Sequence, residues 1–386
     1  MVVLAGLFLC CPGAFAAEGV LASAGGDLQQ VAQYNFAIHI LAMLLVGFGF
    51  LMVFVRRYGY SATTGTYLVV AMGLPVYILL RASGILCAEP IEPSTIKALL
   101  YAEFAVASAL IAMGAVLGRL RVFQYALLAL LLVPAYMLNE WLVLDGGLGV
   151  TKGFTDAAGS IIIHAFGAYF GLGVTVAITT AKQRQQPIQA DATADRFAML
   201  GSMVLWLFWP SFCSAVVPAG QLQHTAVNTV LALSGATLST FVLSTLLRKG
   251  KTSVADMANA ALAGGVSIGA TCNIVSPAVA FGIGALAGAL CVVGYVFIQP
   301  ALLARFKIVD TCGVHNLHGM PGLLGGLIAV VAVPGVATAQ LVGIAVTLAL
   351  AIVCGLAAGA LIRLTGTTVR AYDDAECFCD VEPGHL

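Results

Sequence analysis

The chain has 386 residues, of which 61% are hydrophobic and only 9% are charged, and its formal net charge is zero. Soluble domains carry roughly 25% charged residues, so this composition excludes an ordinary soluble protein, whose surface could not be covered by so few charges. The mean hydropathy of +1.02 indicates a chain that is surrounded mostly by lipid. The zero net charge gives no indication of a nucleic-acid partner.

The first residues have the pattern of a secretory signal. An apolar run ends in the small-residue segment Gly13–Ala16, which is typical of a cleavage site. The run lacks Lys and Arg, and the alternative is a short extra membrane segment, although the run is too short to span a bilayer. We therefore predict a signal peptide over residues 1–16, a membrane domain over 17–365 and a cytoplasmic tail over 366–386.

Eleven segments after this signal reach the length of about 20 apolar residues that is needed to cross the hydrocarbon. They lie at about residues 31–55, 62–82, 96–118, 122–143, 156–180, 196–217, 222–247, 254–272, 276–303, 311–335 and 338–364. The remaining polar stretches, near 181–195 and in the tail, are too short for a soluble catalytic domain and contain no phosphate-binding loop sequence. The sequence predicts an all-α polytopic membrane protein that is not an enzyme.

Basic residues test this count of segments, because Lys and Arg accumulate in cytoplasmic loops. Of the 17 Lys and Arg residues, those that follow the odd-numbered segments are Arg56, Arg57, Arg119, Arg121, Lys182, Arg184, Arg196, Arg248, Lys249, Lys251, Arg305, Lys307, Arg363 and Arg370. Only Arg81, Lys97 and Lys152 lie on or near the other side. The pattern predicts an outside N-terminus and a cytoplasmic C-terminus.

One motif occurs twice. The pattern D-x2-G-x4-H-x6-G begins the fifth segment, over residues 156–171, and the tenth segment, over residues 310–325. The second copy begins five segments after the first, which is an odd offset, so the two copies enter the bilayer from opposite faces. This arrangement predicts an inverted-topology repeat of helices 1–5 and 6–10, with the eleventh helix outside the repeat.

His164 and His318 are the histidines of the two motif copies. Eight helical residues advance about 12 Å and the half-thickness of the hydrocarbon is about 15 Å, so each ring is expected near the midplane. A ring there needs a polar partner, and the nearest candidate is the other imidazole. A single membrane histidine is about as often a packing residue as a functional one. Two equivalent histidines favour a functional pair. Asp156 and Asp310 are predicted helix caps that orient these histidines.

Other interpretations stay open at this point. His315 and His318 share one helix face and His164 would be a third ligand, which is the pattern of an intramembrane metal site or oxidoreductase. Cys377 and Cys379 form a weak metal motif, and their simpler interpretation is a reduced cytoplasmic tail. A receptor or scaffold is the remaining class, and the absence of a signalling module in the short tail speaks against it.

The chain resembles the ammonium transporter and Rhesus superfamily, and specifically its Rhesus branch. The resemblance covers nearly the whole chain after the signal, and it is carried by the strings DAAGSIIIHAFGAYFG (156–171), LWLFWPSF (205–212), NAALAGG (259–265) and DTCGVHNLHGMPGLLGG (310–326). It implies a homotrimer in the bacterial cytoplasmic membrane. Each protomer would hold its own narrow apolar pore for ammonium or ammonia, with no cofactor or bound metal.

The resemblance also implies roles for particular residues. His164 and His318 match the twin pore histidines, Phe104 and Phe212 match the two gate phenylalanines, and Asp156 matches the acidic residue near the outer vestibule. The expected function is a channel in which ammonium loses its proton near the phenylalanines and NH3 passes the histidines. The fate of that proton, whether left outside or relayed through the pair, stays open. The alternative is a CO2 channel, because the same apolar pore would pass that gas.

One departure separates this chain from the ammonium transporter branch. Proteins of that branch carry a Trp and a Ser that help hold ammonium outside the gate, and Leu144 and Val216 occupy those places here. Without them, capture of the cation is expected to be weaker. The departure favours the Rhesus interpretation, with a lower-affinity conduit.

Overall fold

The computed structural model describes residues 24–368 and 370–382, with side chains from residue 30 onward. The predicted signal peptide over residues 1–16 lies outside them. This part of the chain is helical and contains no strand. Its long helices are α1 (Gln30–Phe54), α2 (Gly59–Ala82), α3 (Ile96–Val116), α4 (Val122–Val143), α5 (Ser160–Ile178), α6 (Ala192–Ser214), α7 (Ala219–Leu247), α8 (Val254–Ile268), α9 (Pro277–Phe306), α10 (His315–Gly319 and Met320–Ala332) and α11 (Ala337–Leu364).

The prediction of eleven helices is confirmed, although two members are short. Among the described residues, nine helices are long and apolar enough to cross a membrane, and α8 and α10 are the two that fall outside this group. The predicted segment 254–272 is helical only to Ile268, and it is interrupted between Ala260 and Ala263. Broken helices are tolerated at membrane depth where they are buried in protein, and every residue from Ala260 to Cys272 is buried.

Helices that pack closely do so through glycine, as expected in a membrane. A Cβ atom at Gly284 of α9 would lie 1.8 Å from the carbonyl oxygen of Ala232 on α7, and one at Gly355 of α11 would lie 2.2 Å from that of Phe170 on α5. These backbones touch directly. The many glycines of the sequence therefore set the spacing of the helices.

The helices α5 and α10 both begin later than predicted. The predicted segments start at residues 156 and 311, whereas the helices start at Ser160 and His315. The reason is that Gly159 (φ +79°) and Gly313 (φ +73°) adopt left-handed conformations, which favour glycine and do not continue a right-handed helix. The estimated advance of 12 Å from Asp156 to His164 is therefore wrong, because residues 156–159 are not helical.

The tail lies against one face of the molecule. The backbone N–H of Tyr372 donates to the carbonyl of Gly118 (3.1 Å), and the Asp374 carboxylate accepts from the backbone N–H groups of Tyr60 (3.0 Å) and Ser61 (2.8 Å). Gly118 follows α3, and Tyr60 and Ser61 lie at the start of α2, directly after the loop that follows α1. The sequence places basic residues in both of these loops. The tail and these basic loops therefore share a face, as an odd number of membrane helices requires.

Candidate conduction site

The first copy of the motif presents His164 from a capped π-helical turn. The turn spans Ser160–Ala165, and π-helical turns are rare and concentrate at functional sites. Oδ2 of Asp156 accepts from the backbone N–H groups of Ile161 (2.9 Å) and Ile162 (2.8 Å), while Oδ1 is buried and has no hydrogen-bond partner. Asp156 thus holds the start of α5 with one oxygen only.

The second copy presents His318 in the same way. A π-helical turn spans His315–Gly319. Oδ1 of Asp310 accepts from the N–H of Val314 (2.9 Å) and Oδ2 accepts from that of His315 (2.9 Å). Both aspartates satisfy helix N–H groups that would otherwise lack partners, but Asp310 uses both of its oxygens.

The structure brings the two histidines together. Nδ1 of His164 lies 3.3 Å from Nδ1 of His318, and the rings lie nearly parallel, with centroids 5.3 Å apart and planes 12° apart. Both side chains are buried, with 2% and 4% of their surface exposed. One ring can donate its N–H to the other. Nε2 of His164 is buried without a hydrogen-bond partner among the described residues.

Aromatic rings cover the His164 end of the pair. The rings of Phe104 and Phe212 are in edge-to-face contact, with centroids 4.7 Å apart, and Phe212 lies 6.1 Å from His164. Trp209 stacks on His164 at 5.6 Å with its plane tilted by 25°. No role for Trp209 was predicted from the sequence, so its contact with the histidine was missed. Its spacing of three residues from Phe212 puts both rings on one face of α6, which is the signal that could have found it.

A cavity of about 210 Å³ lies beyond these rings at the His164 end of the pair. It is called the outer cavity. Its lining residues are Tyr101, Phe104, Tyr136, Glu140, Leu144, Asp156, Ala157, Ala158, Gly159, Ile162, Ile163 and Val216. Leu144 and Val216, which the sequence placed where other members carry Trp and Ser, both line this outer cavity. Its ionisable carboxyl groups are those of Glu140 and Asp156.

Glu140 is a residue of this cavity that the sequence analysis missed. It is buried, Tyr77 donates its phenolic O–H to Oε2 (2.8 Å), and the Arg81 guanidinium lies 3.3 Å from the same oxygen. The signal was present, since a glutamate in the apolar segment 122–143 is an intramembrane ionisable group. Its pairing with α2, however, depends on helix packing that the sequence does not give.

A much smaller cavity, of about 20 Å³, lies at the His318 end of the pair and is called the inner cavity. Its lining residues are Phe48, Leu51, Met52, Phe54, Leu110, Ile111, Gly114, Asn259, Cys312, Val314, Leu317 and His318. The lining is almost entirely apolar. The acidic outer cavity, the aromatic rings, the two imidazoles and the small apolar inner cavity follow one another in this order. Together they are called the passage.

Other sequence candidates lie elsewhere. His315 contacts Tyr169 edge-on, with ring centroids 5.7 Å apart, and lines neither cavity. Across residues 24–368 and 370–382 there is no group of three His, Cys, Asp or Glu side chains that could hold a metal ion, so the metal-site interpretation has no support. Cys377 and Cys379 are exposed free cysteines.

A polytopic helical protein in which two buried imidazoles lie between two cavities has the architecture of a membrane channel or transporter for a small molecule. The profile of the Ammonium Transporter Family matches residues 1–381. The ammonium transporter Rh type B of Sus scrofa is 39% identical over 373 residues, which cover 88% of this chain and 79% of that protein.

Solved structures agree. The structure of Rh50 from Nitrosomonas europaea, described as a channel of the Rhesus protein family, is 68% identical, with a TM-score of 0.92 and coverage of 92% of this chain and 94% of that one. Mep2 of Saccharomyces cerevisiae, at 16% identity, a TM-score of 0.69 and coverage of 87% and 84%, shares the fold. The chain belongs to the Ammonium Transporter Family and, within it, to the Rhesus type.

Proposed function

We propose that the protein is a channel that conducts ammonia down its gradient across the bacterial cytoplasmic membrane. The observation that carries the proposal is the pair of buried imidazoles, 3.3 Å apart, between an acidic outer cavity and an apolar inner one. The names of the relatives supply the substrate class, since the Rh type B proteins are ammonium transporters. The protein is not an enzyme in this proposal, because ammonium only exchanges a proton.

The outer cavity collects the cation. Carboxylates attract ammonium, and Oδ1 of Asp156 has no protein partner that would compete for it. Glu140 adds a second carboxyl group, although Arg81 offsets part of its charge. Leu144 and Val216 offer neither a π face nor a hydroxyl group, so affinity for the cation stays low.

The aromatic rings exclude the charged form. Phe104 and Phe212 are buried and in contact, so a molecule that passes them loses its water. Dehydrating an ion in an apolar environment costs far more than dehydrating a neutral polar molecule. Ammonium therefore loses its proton outside the rings, and NH3 enters.

The histidine pair replaces the hydrogen bonds that NH3 leaves behind in water. In the neutral pair, the ring that donates its Nδ1–H has a free lone pair on Nε2, and the other ring carries an Nε2–H. The pair thus offers one acceptor and one donor end, and NH3 can use both. CO2 has no N–H or O–H to donate, so the pair favours ammonia over CO2.

The same pair offers a route for the proton. If the proton that ammonium releases outside the rings reaches Nε2 of His164, the Nδ1–H of that ring can move across to Nδ1 of His318, whose Nε2–H can leave into the inner cavity. Atoms and charge balance, but both rings end in the opposite tautomer and must reset before the next turnover. Net NH3 transport and NH3 with a relayed proton are therefore distinguished by charge movement alone.

The test uses purified protein in sealed vesicles with an inward ammonium gradient. Internal pH and current are recorded together, and protein-free vesicles and the double variant His164→Leu/His318→Leu serve as controls. Internal alkalinisation without current establishes NH3 conduction, and a current establishes that a charge crosses with it. If neither signal exceeds that of protein-free vesicles, the proposed function is wrong. A CO2 gradient across the same vesicles measures the alternative.

The proposal includes a homotrimer with an outside N-terminus and a cytoplasmic C-terminus. It is supported by the Rhesus resemblance for the assembly and by the basic loops for the orientation. Native mass spectrometry in detergent measures the stoichiometry. Labelling of the exposed Cys377 from the cytoplasmic side of membrane vesicles, but not from the other side, tests the orientation.

A further inference from the structure

An aromatic ring also covers the inner end of the histidine pair. Phe48 of α1 lies face to face with His318, with centroids 6.3 Å apart and planes 22° apart. Its side chain is buried, with 6% exposed, and lines the inner cavity. It ends the π-helical turn Met43–Phe48. Three helices thus carry a π-helical turn where they meet the passage.

The inverted repeat relates this contact to the one at the outer end. The repeat pairs α1 with α6 and α5 with α10. Phe48 of α1 stacks on the histidine of α10, as Trp209 of α6 stacks on the histidine of α5. The two interplanar angles, 22° and 25°, are nearly equal. Each half of the repeat therefore places an aromatic ring against the histidine of the other half.

The space beyond Phe48 limits what can leave. The inner cavity has a volume of about 20 Å³, which is on the order of the roughly 10–15 Å³ that one water molecule needs. It therefore accommodates one molecule of the size of water or ammonia. The rings of Phe48 and Phe54 and the side chains of Leu110 and Ile111 line this cavity, so we expect an added methyl group to meet them.

We propose that Phe48 is an inner aromatic barrier that sets the size limit of the channel. It lines the inner cavity together with His318, so a molecule released by His318 into that cavity meets its ring. A rigid ring in a buried position leaves little room to adapt. Phe48 is thus a specificity-determining residue that discriminates ammonia from methylamine. This inference rests on the proposed function.

The experiment compares Phe48→Ala with Phe50→Ala. Phe50 lies two residues further along α1, is half-buried, and stacks on Phe197 at 5.5 Å, outside the lining of either cavity. Sealed vesicles with equal amounts of monodisperse protein receive ammonia or methylamine gradients, and the two rates of alkalinisation give a permeability ratio. We expect Phe48→Ala to raise the methylamine to ammonia ratio roughly tenfold, which corresponds to about 1.4 kcal/mol.

Two further variants keep the proposal testable if the alanine protein does not fold. Phe48→Leu keeps most of the side-chain volume. Its methylamine to ammonia ratio is expected to lie between the ratios of the wild type and of Phe48→Ala. Phe48→Trp enlarges the barrier, and a lower ammonia rate is expected. Phe50→Ala is expected to keep the wild-type permeability ratio. If the folded Phe48 variants keep it as well, the proposal that Phe48 is the inner barrier is wrong. If the wild type itself conducts nothing, the proposed function has failed instead.

Discussion

The two copies of the repeated motif are alike at their histidines and unlike at their aspartates. Each histidine lies in a π-helical turn that follows a left-handed glycine. Asp310 uses both carboxylate oxygens to hold its turn, whereas Asp156 uses one and leaves Oδ1 without a partner at the outer cavity. The two turns present their histidines in the same way, but only the first copy leaves a carboxylate oxygen without a hydrogen-bond partner, that of Asp156.

The surroundings of the two copies differ in the same direction. The outer cavity is about ten times larger than the inner one and is lined by Glu140 and Asp156, while the inner one is lined almost entirely by apolar side chains and has no carboxyl group. A cation is attracted where the carboxylates are and excluded where they are absent. The repeat provides the symmetric pair of histidines, which suits neutral NH3. The carboxyl groups line the outer cavity only, so we expect ammonium to be confined to that end.

The likeness of the histidines gives the largest expected effect. His164→Leu and His318→Leu each remove one end of the hydrogen-bonding pair and keep a side chain of similar size. A hydrogen bond lost inside an apolar passage costs about 1–3 kcal/mol, so ammonia conduction in vesicles is expected to fall roughly 5- to 150-fold. The two losses are expected to be similar in size.

His315→Leu is the matched control, because His315 lies three residues before His318 and lines neither cavity. Its conduction is expected to stay near that of the wild type. If His315→Leu is as damaging as His318→Leu, the loss comes from disturbing α10 and the pair has no special role.

The difference between the aspartates gives the next effect. Asn has one carbonyl oxygen, so Asp310→Asn sets an amide N–H₂ against a backbone N–H and is expected to lower the free energy of unfolding by about 1–3 kcal/mol. In Asp156→Asn, a single oxygen still accepts both hydrogen bonds, so the stability loss is expected to be smaller. Asp156→Asn is instead expected to reduce conduction more, by roughly three- to tenfold, since the cavity loses a charge.

The two variants are measured side by side, by thermal unfolding in detergent and by alkalinisation in vesicles. The comparison requires a crossed pattern, with the larger stability loss at Asp310 and the larger conduction loss per folded protein at Asp156. Equal losses in both assays would mean that both aspartates are caps and nothing more.

The fold was predictable because the bilayer restricts it so strongly. Span length, basic loops and the repeated motif predict eleven helices and their order, and all three follow from sequence alone. The starts of α5 and α10 were misplaced, because a glycine in a capped helix and a left-handed glycine look the same in the sequence. The interruption of α8 was missed because its apolar composition continues through residues 261–262.

The site was predictable only in part. The motif predicted that His164 and His318 lie close together, and the structure brings their rings into contact. The resemblance pointed to Phe104 and Phe212, whose role as a gate stays a prediction. The contacts of Phe48 and Glu140 were missed because they join helices far apart in the chain. Phe48 meets a histidine 270 positions later, and Glu140 meets Tyr77 and Arg81 of a different helix. No local pattern encodes such contacts, and a phenylalanine among apolar residues carries no signal of its own.

The smallest expected effect concerns the carboxyl group that has no counterpart at the inner end. Glu140→Gln keeps the size of the side chain and an oxygen for the Tyr77 hydroxyl group, but removes one charge and leaves Arg81 less compensated. Since a partly screened charge is worth up to about 1 kcal/mol, the ammonium concentration for half-maximal rate is expected to rise two- to threefold at low ionic strength, with the maximal rate unchanged. The shift is expected to vanish near 1 M salt, where the screening length falls to about 3 Å.

Glu89→Gln, on the exposed loop between α2 and α3, is the control. A shift that persists at high salt, or that Glu89→Gln reproduces, would mean that the outer cavity does not collect the cation through Glu140, and Asp156 would then be left as the sole basis of the asymmetry.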